Sequence, residues 1–285
     1  MIPYNFEYYQ PVTALEGVRL FHDLALQGKE PMYYAGGTEI ITMGRTLPVQ
    51  PRAVIDIKKI PECTILAVQD QKLVLGSALS LSRLHDSLAF PLLGETAAGV
   101  ADRTSRNKIT LGGNICSRLM YRETVLPLLL TDSEVRIAGP AGWKQVSIHQ
   151  VFHGQLQLEK GEFLVHSLTD SSYIGMPYAA VKKRKVSDIG YPLLTVAAIR
   201  TNAMIRVAFS GVCAFPFRSP MMEDALNRRE LPLRLRIEQA LVHLPAPILD
   251  DFNGSAAYRE WVLKHTLLDT ILSLEGESHE RYRRL

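Results

Sequence analysis

Cysteine is scarce in this chain of 285 residues: Cys63, Cys116 and Cys213 stand far apart, with no CxxC pair. Three thiols cannot supply the four thiolates of an ordinary iron–sulfur cluster, and without a CxxC pair they outline no structural zinc site. They read as reduced, buried thiols, because free cysteine packs as a small hydrophobe. If the protein does redox chemistry, its own residues do not hold the metal. Long apolar runs are also absent, none approaching the ~18 residues of a membrane span. The opening Met1-Ile2-Pro3-Tyr4-Asn5-Phe6-Glu7 lacks the basic and apolar regions of a secretion signal, so a cytoplasmic protein is expected. Net charge is only +3, too little to argue for a nucleic-acid partner. The basic run Lys182-Lys183-Arg184-Lys185 reads as a solvated or cofactor-proximal segment, and Arg281-Tyr282-Arg283-Arg284 as a frayed tail.

The familiar catalytic fingerprints are missing too. Neither GxGxxG nor GxxxxGK[ST] occurs, which excludes the Rossmann and P-loop signatures. No serine lies in GxSxG and no cysteine has an evident base beside it, so hydrolase chemistry has no support. The eight histidines are scattered, and only His149 and His153 fall four apart, with no carboxylate or thiol beside them to complete a metal site.

Two short glycine loops are present instead: Ala35-Gly36-Gly37-Thr38-Glu39 and Thr110-Leu111-Gly112-Gly113-Asn114. Glycine permits positive φ and close approach of another molecule to the backbone. Successive N–H groups in such a turn form an anion-binding concavity. A matched pair can grip both phosphates of a dinucleotide without a basic side chain.

Around these loops the chain reads as mixed helix and strand. Thr13-Ala14-Leu15-Glu16 is a capping box opening a helix whose buried side is expected to carry Leu15, Val18, Phe21 and Leu24. Met32 to Ala35 and Ala53 to Ile57 read as strands. Thr64 to Val68 with Lys72 to Ala78, and Glu134 to Ala138 with Trp143 to Ser147, read as hairpins. Helices are expected over Ser80 to Leu84, Pro91 to Ala101 and Glu123 to Leu130. From Tyr178 onward, Ala179 to Lys182, Leu194 to Arg200 and Ile205 to Cys213 suggest three antiparallel strands. Helices follow at Met221 to Leu226, Leu233 to Leu244 and Ala257 to Leu272, the last with Trp261, Leu268, Ile271 and Leu272 as a core stripe.

Five ordered motifs then carry a resemblance: Tyr8-Tyr9-Gln10-Pro11, the loop Ala35 to Glu39, Ile55-Asp56-Ile57-Lys58-Lys59-Ile60-Pro61-Glu62, Arg106-Asn107-Lys108-Ile109-Thr110-Leu111-Gly112-Gly113-Asn114, and Gly254-Ser255-Ala256-Ala257-Tyr258-Arg259. In these the chain resembles the FAD-binding medium subunit of the molybdenum hydroxylases, the xanthine dehydrogenase and carbon monoxide dehydrogenase family, over roughly its whole length. The resemblance implies an α+β fold. A two-subdomain FAD-binding domain of PCMH type, residues 1–56 and 57–175, is followed by a small C-terminal domain, 176–285, with a three-stranded antiparallel sheet. It implies cofactor contacts at Tyr33, Tyr34, Ala35, Gly36, Gly37, Thr38, Glu39 and Ile40, and at Thr110, Leu111, Gly112, Gly113 and Asn114. Leu164 and Lys182 join them, Lys182 as a cation near the flavin ring. No residue of the chain is assigned to bond-making chemistry or to a metal.

Many members follow GGN with Ala-Ser-Pro-x-x-Asp, whose Asp contacts the cofactor. Here Glu123 stands at the Asp position and Met120 at the Pro. The wording Tyr121 to Pro127 is similar to purine-oxidising members. The resemblance implies a molybdopterin-binding large subunit and a [2Fe–2S] small subunit as partners, in a dimer of heterotrimers. Electrons would reach FAD on this chain and pass to NAD+. Two other readings stay open: a stand-alone flavin oxidoreductase of the same fold, and a non-catalytic paralogue that acts in assembly.

Overall fold

The computed structural model describes residues 5–46, 50–185, 190–202 and 204–276. The basic stretch 281–284 lies outside them. The architecture is α+β and rests on three sheets.

The first sheet holds β1 (Glu7–Tyr9), β2 (Pro31–Tyr34) and β3 (Ala53–Asp56) in the order β1-β3-β2, all parallel. Parallel neighbours need crossover connections. Helix α1 (Ala14–Leu26) and helix α2 (Thr38–Thr46) supply them. The capping box closes on α1: Thr13 Oγ1 accepts the Glu16 N–H at 3.2 Å, and the Glu16 carboxylate accepts the Val12 N–H at 2.8 Å. Ala14, Gly17, Val18 and Leu24 form the buried face. Leu15, expected among them, is 43% exposed. Small residues at 14 and 17 bring the helix close to its neighbours, and a side chain one step along turns about 100° away.

The second sheet runs β4 (Leu66–Gln69), β5 (Lys72–Gly76), β6 (Glu134–Gly139), β7 (Gly142–Ser147) and β8 (Phe163–Asp170), ordered β4-β5-β8-β6-β7 and antiparallel throughout. Both expected hairpins form. Asp70 and Gln71 take φ of 47° and 60°, as a two-residue turn matched to strand twist requires. Strand β8, which no sequence signal marked, joins the two hairpins. Leu73, Leu75, Ile137 and Leu164 pack from this sheet against helices Leu81–Ser87, Pro91–Ala98 and Val125–Leu130.

The third sheet contains β9 (Tyr178–Lys183), β10 (Leu194–Arg200), β11 (Ile205–Ser210) and β12 (Phe217–Arg218), antiparallel and one strand larger than expected. Helices Pro220–Leu226, Leu233–Leu241 and Ala256–Glu275 share its core. In the last of these Leu263, Leu267, Ile271 and Leu272 are buried and Leu268 half-buried, but Trp261 is 56% exposed. Its ring stacks on Tyr258 and lies 4.2 Å from the His265 ring. The inward place near this end belongs to Arg259, wholly buried. Its guanidinium donates to the carbonyls of Leu249 and Gly211 and to the Asp251 carboxylate. Spacing alone does not separate an aromatic stripe facing solvent from one facing the core.

Candidate cofactor site

The first glycine loop leaves β2 at Tyr34 and enters α2 at Thr38. Gly37 takes φ +70°, and a Cβ there would lie 2.3 Å from the Tyr34 ring. A Cβ on Gly36 would lie 1.8 Å from the Lys108 carbonyl oxygen. Gly36 is thus the point at which the two loops touch, because Lys108 and Ile109 lead directly into Thr110. Backbone against backbone leaves no room for a methyl group.

The second loop starts helix Leu111–Ile115, and Thr110 caps it by accepting the Gly113 N–H on Oγ1 at 3.1 Å. The N–H groups of Leu111 and Gly112 donate to the carbonyls of Leu79 and Ser77 at 2.9 and 2.7 Å, and that of Asn114 to Thr110 at 2.8 Å. A Cβ on Gly112 would lie 2.7 Å from Ser77 Cβ. Gly113 is exposed, and a Cβ there would meet only Thr110 Oγ1, at 2.9 Å.

The loops therefore offer different things. The N–H groups of Leu111 to Asn114 are all engaged within the chain. Those of Gly36 to Ile40, at the start of α2, have no acceptor among the described residues. Orphan N–H groups and the positive end of the helix dipole suit an anion. A dinucleotide's pyrophosphate fits this cradle: the first loop supplies donors, and the second supplies a wall with the open flank of Gly113.

Several contacts fix the cradle. Glu39 accepts the Arg118 N–H at 2.8 Å, joining α2 to the segment after the second loop. Asn114 Oδ1 accepts from the Thr124 N–H at 3.1 Å and the Thr124 hydroxyl at 2.7 Å. The Thr38 carbonyl accepts the Thr42 hydroxyl at 2.9 Å. The Tyr33 ring packs between Phe21 and Phe163, and its hydroxyl donates to the Gly161 carbonyl at 2.8 Å. Its side chain is part of the sheet–helix packing, and burial pushes its phenol pKa up. Leu164 is buried on β8, opposite Ile137. Ile40 is half-buried on α2.

Glu123 and Lys182 meet each other. Lys182 Nζ donates to Glu123 Oε2 at 2.7 Å and to the Gly99 carbonyl at 2.7 Å, with side-chain exposures of 9% and 4% for the lysine and the glutamate. The second carboxylate oxygen accepts from the Thr195 hydroxyl at 2.6 Å. Burial pushes the Lys182 pKa down, against the opposing pull of Glu123. Of the basic run, Lys182 is therefore not solvated. Arg184 shares the Gly99 carbonyl, and Lys185 sits over the Phe252 ring.

Sequence reasoning gave no role to Asp56 and Lys58, although both lie in a quoted motif, nor to Arg122. Arg122 is buried at φ 33°, donating to the carbonyls of Ser117 and Gly154 at 2.6 and 2.8 Å. An arginine gives no sequence signal of burial. His149 pairs with Asp132 at 3.0 Å, and no cluster of metal-ligating side chains occurs among the described residues. All three cysteines are free, and burial pushes their thiols up to about 12 for Cys63 and Cys116 and about 11 for Cys213. Such thiols are unreactive.

Residues 4–167 match the family described as the FAD binding domain in molybdopterin dehydrogenase. The carbon monoxide dehydrogenase medium chain of Hydrogenophaga pseudoflava is 28% identical over 228 residues, covering 76% of this chain and 78% of that protein. The putative xanthine dehydrogenase FAD-binding subunit of Escherichia coli (strain K12) is 29% identical over 266 residues, covering 88% of each. In overall fold the chain is similar to a solved carbon monoxide dehydrogenase from Hydrogenophaga pseudoflava, with a TM-score of 0.84 over 96% of this chain and 99% of that one, at 24% identity. With the matched region covering more than half of the sequence and enclosing both glycine loops, the chain belongs to the family of FAD-binding domains in molybdopterin dehydrogenases, the flavin-carrying part of the molybdenum hydroxylases.

Proposed function

We propose that this chain is the electron-transfer flavoprotein subunit of a xanthine dehydrogenase-like molybdenum hydroxylase. It relays electrons from [2Fe–2S] clusters on a small partner subunit to NAD+, after a molybdopterin-bearing large subunit has oxidised the substrate. The observation that carries the reading is the run of N–H groups from Gly36 to Ile40, without an acceptor among the described residues, in a turn pressed against the second glycine loop. Those groups hold the pyrophosphate, and Thr110 to Asn114 close the cradle from the other side. Bound FAD supplies a carrier that takes electrons singly and gives them up as a pair. The chain's own part is to bind and orient it and to set the charge around it.

The buried Lys182–Glu123 pair links β9 to the segment after the second loop and places a fixed cation beside that segment. The three sheets support a division at about 1–56, 57–175 and 176–285. The Tyr121 to Pro127 wording and the xanthine dehydrogenase relative favour a purine substrate, and hence a role in purine metabolism in the cytoplasm. No helix among the described residues is long and apolar enough to cross a membrane. The assembly proposed is a dimer of heterotrimers.

The purified chain should be yellow and release FAD on denaturation, and NADH should bleach it. It should oxidise xanthine only once the molybdenum and iron–sulfur subunits are added. Xanthine turnover by the single polypeptide would defeat the subunit assignment, and a colourless chain that takes up no FAD would defeat the reading as a whole.

A further inference from the structure

Strand β3 is the central strand of the parallel sheet, and it ends at Asp56, beside the turn that leaves β2. In parallel sheets this carboxyl end is where ligands bind. Asp56 is wholly buried. Its carboxylate accepts from the Tyr8 hydroxyl, from Gln10 Nε2 at 3.3 Å and from the Lys58 N–H at 3.0 Å. It also takes the Lys58 ammonium on both oxygens, at 2.8 and 2.7 Å. Lys58 Nζ makes one further bond, to the Ala35 carbonyl at 2.8 Å. The ammonium is thus shared between the Asp56 carboxylate and the Ala35 carbonyl. The same ammonium stands 4.7 Å from the centre of the Tyr34 ring, the ring against which Gly37 is packed. Lys58 thus holds the first glycine loop at its carbonyl entrance and under its tightest point.

We propose that Lys58, anchored by Asp56, is a positioning residue that sets the Ala35-Gly36-Gly37 turn so that the N–H groups of Gly36 to Ile40 converge on the cofactor. The proposal rests on the FAD reading above and adds to it a residue outside both glycine motifs. Removing Lys58 leaves the Asp56 carboxylate, 1% exposed, without its counter-charge, which lowers global stability as well. What distinguishes a positioning role is the change at the loop. The Ala35 carbonyl loses its donor, the Tyr34 ring its cation, and Asp56 its main counter-charge.

Two measurements on the full chain test this: FAD binding, followed by flavin fluorescence, and amide hydrogen exchange of the FAD-free protein. Lys58→Met should weaken FAD binding by about tenfold or more. It should also speed exchange at Ile41, whose N–H donates to the Gly37 carbonyl at 2.9 Å, by about tenfold and by more than at the sheet amides. Lys58→Arg, which keeps a cation able to bridge Asp56 and Ala35, should restore both. Asp56→Asn combined with Lys58→Met should weaken binding by less than the sum of the two single effects. Wild-type affinity and wild-type exchange in Lys58→Met would overturn the proposal, and so would acceleration no greater at Ile41 than at the sheet amides. If the unaltered protein takes up no FAD, the flavoprotein reading fails and the exchange pattern alone decides the clamp: localised acceleration supports it and unchanged rates refute it.

Discussion

Gly37→Ala tests the cradle at the position where structure and chemistry are most closely tied. Two costs combine. The left-handed φ of +70° is open to glycine, whereas an L-residue loses roughly 1–2 kcal/mol there. The new methyl would also lie 2.3 Å from Tyr34 Cε2, so the ring must swing aside. That movement gives up the Lys58 contact at 4.7 Å, a cation–π interaction of about 0.5–1 kcal/mol. Together these amount to about 1.5–3 kcal/mol, which the loop relieves by leaving its present conformation. If the pyrophosphate is held by N–H groups fixed in that conformation, FAD affinity falls roughly 10- to 150-fold. The assay is titration of FAD-free protein with FAD, followed by flavin fluorescence, beside a thermal melt. The main hydrophobic cores lie in the second and third sheets, away from this turn, so the melt should show a folded protein. A Gly37→Ala variant with wild-type FAD affinity would refute the reasoning, because the loop conformation would then be irrelevant to the cofactor.

Gly113→Ala should do the opposite to the empty protein. Its φ is unstrained and alanine suits a helix better by about 0.5–1 kcal/mol, which offsets the 2.9 Å approach of the methyl to Thr110 Oγ1, so the melting temperature holds while FAD binding weakens; undiminished binding would place the cofactor away from the second loop. Glu123→Gln leaves the buried Lys182 ammonium without its anion and should cost about 3 kcal/mol by urea unfolding. Adding Lys182→Met should recover much of that, and simple additivity would refute the pairing. Asp132 is partly buried, which alone would raise its pKa, but His149, Arg218 and Arg206 hold it well below the ordinary 3.8. Its stabilising contribution is therefore complete above that value and lost as pH falls through the folded-state pKa. The difference in urea midpoint between wild type and Asp132→Asn should shrink below about pH 4, and a difference independent of pH would refute it.

Elements with local signals are legible in the residues alone. The Thr13–Glu16 cap and the left-handed turn at Gly37 need particular residue types in particular backbone conformations, whatever the rest of the chain does. Gly37 is glycine because of a φ that only glycine adopts freely. Other elements were hidden by composition. Helix α2, Thr-Glu-Ile-Ile-Thr-Met-Gly-Arg-Thr, is rich in β-branched residues, which disfavour helix in isolation, and it forms as the crossover between β2 and β3. Strand β8 carries His166, Ser167 and Thr169, which break its apolar run, yet they are buried between two neighbouring strands, where partners such as Ser133 for Thr169 come from far away in the chain. The same holds within the candidate site. Sequence marked both glycine loops, but only the tertiary structure brings Gly36 against Lys108 and engages the N–H groups of the second loop with Leu79 and Ser77. It alone pairs Glu123 with Lys182, turns Trp261 to solvent while burying Arg259, and sets Lys58 under the first loop. Hydrogen-bond partners and burial depend on which distant segments pack together, and residue type constrains that packing only weakly.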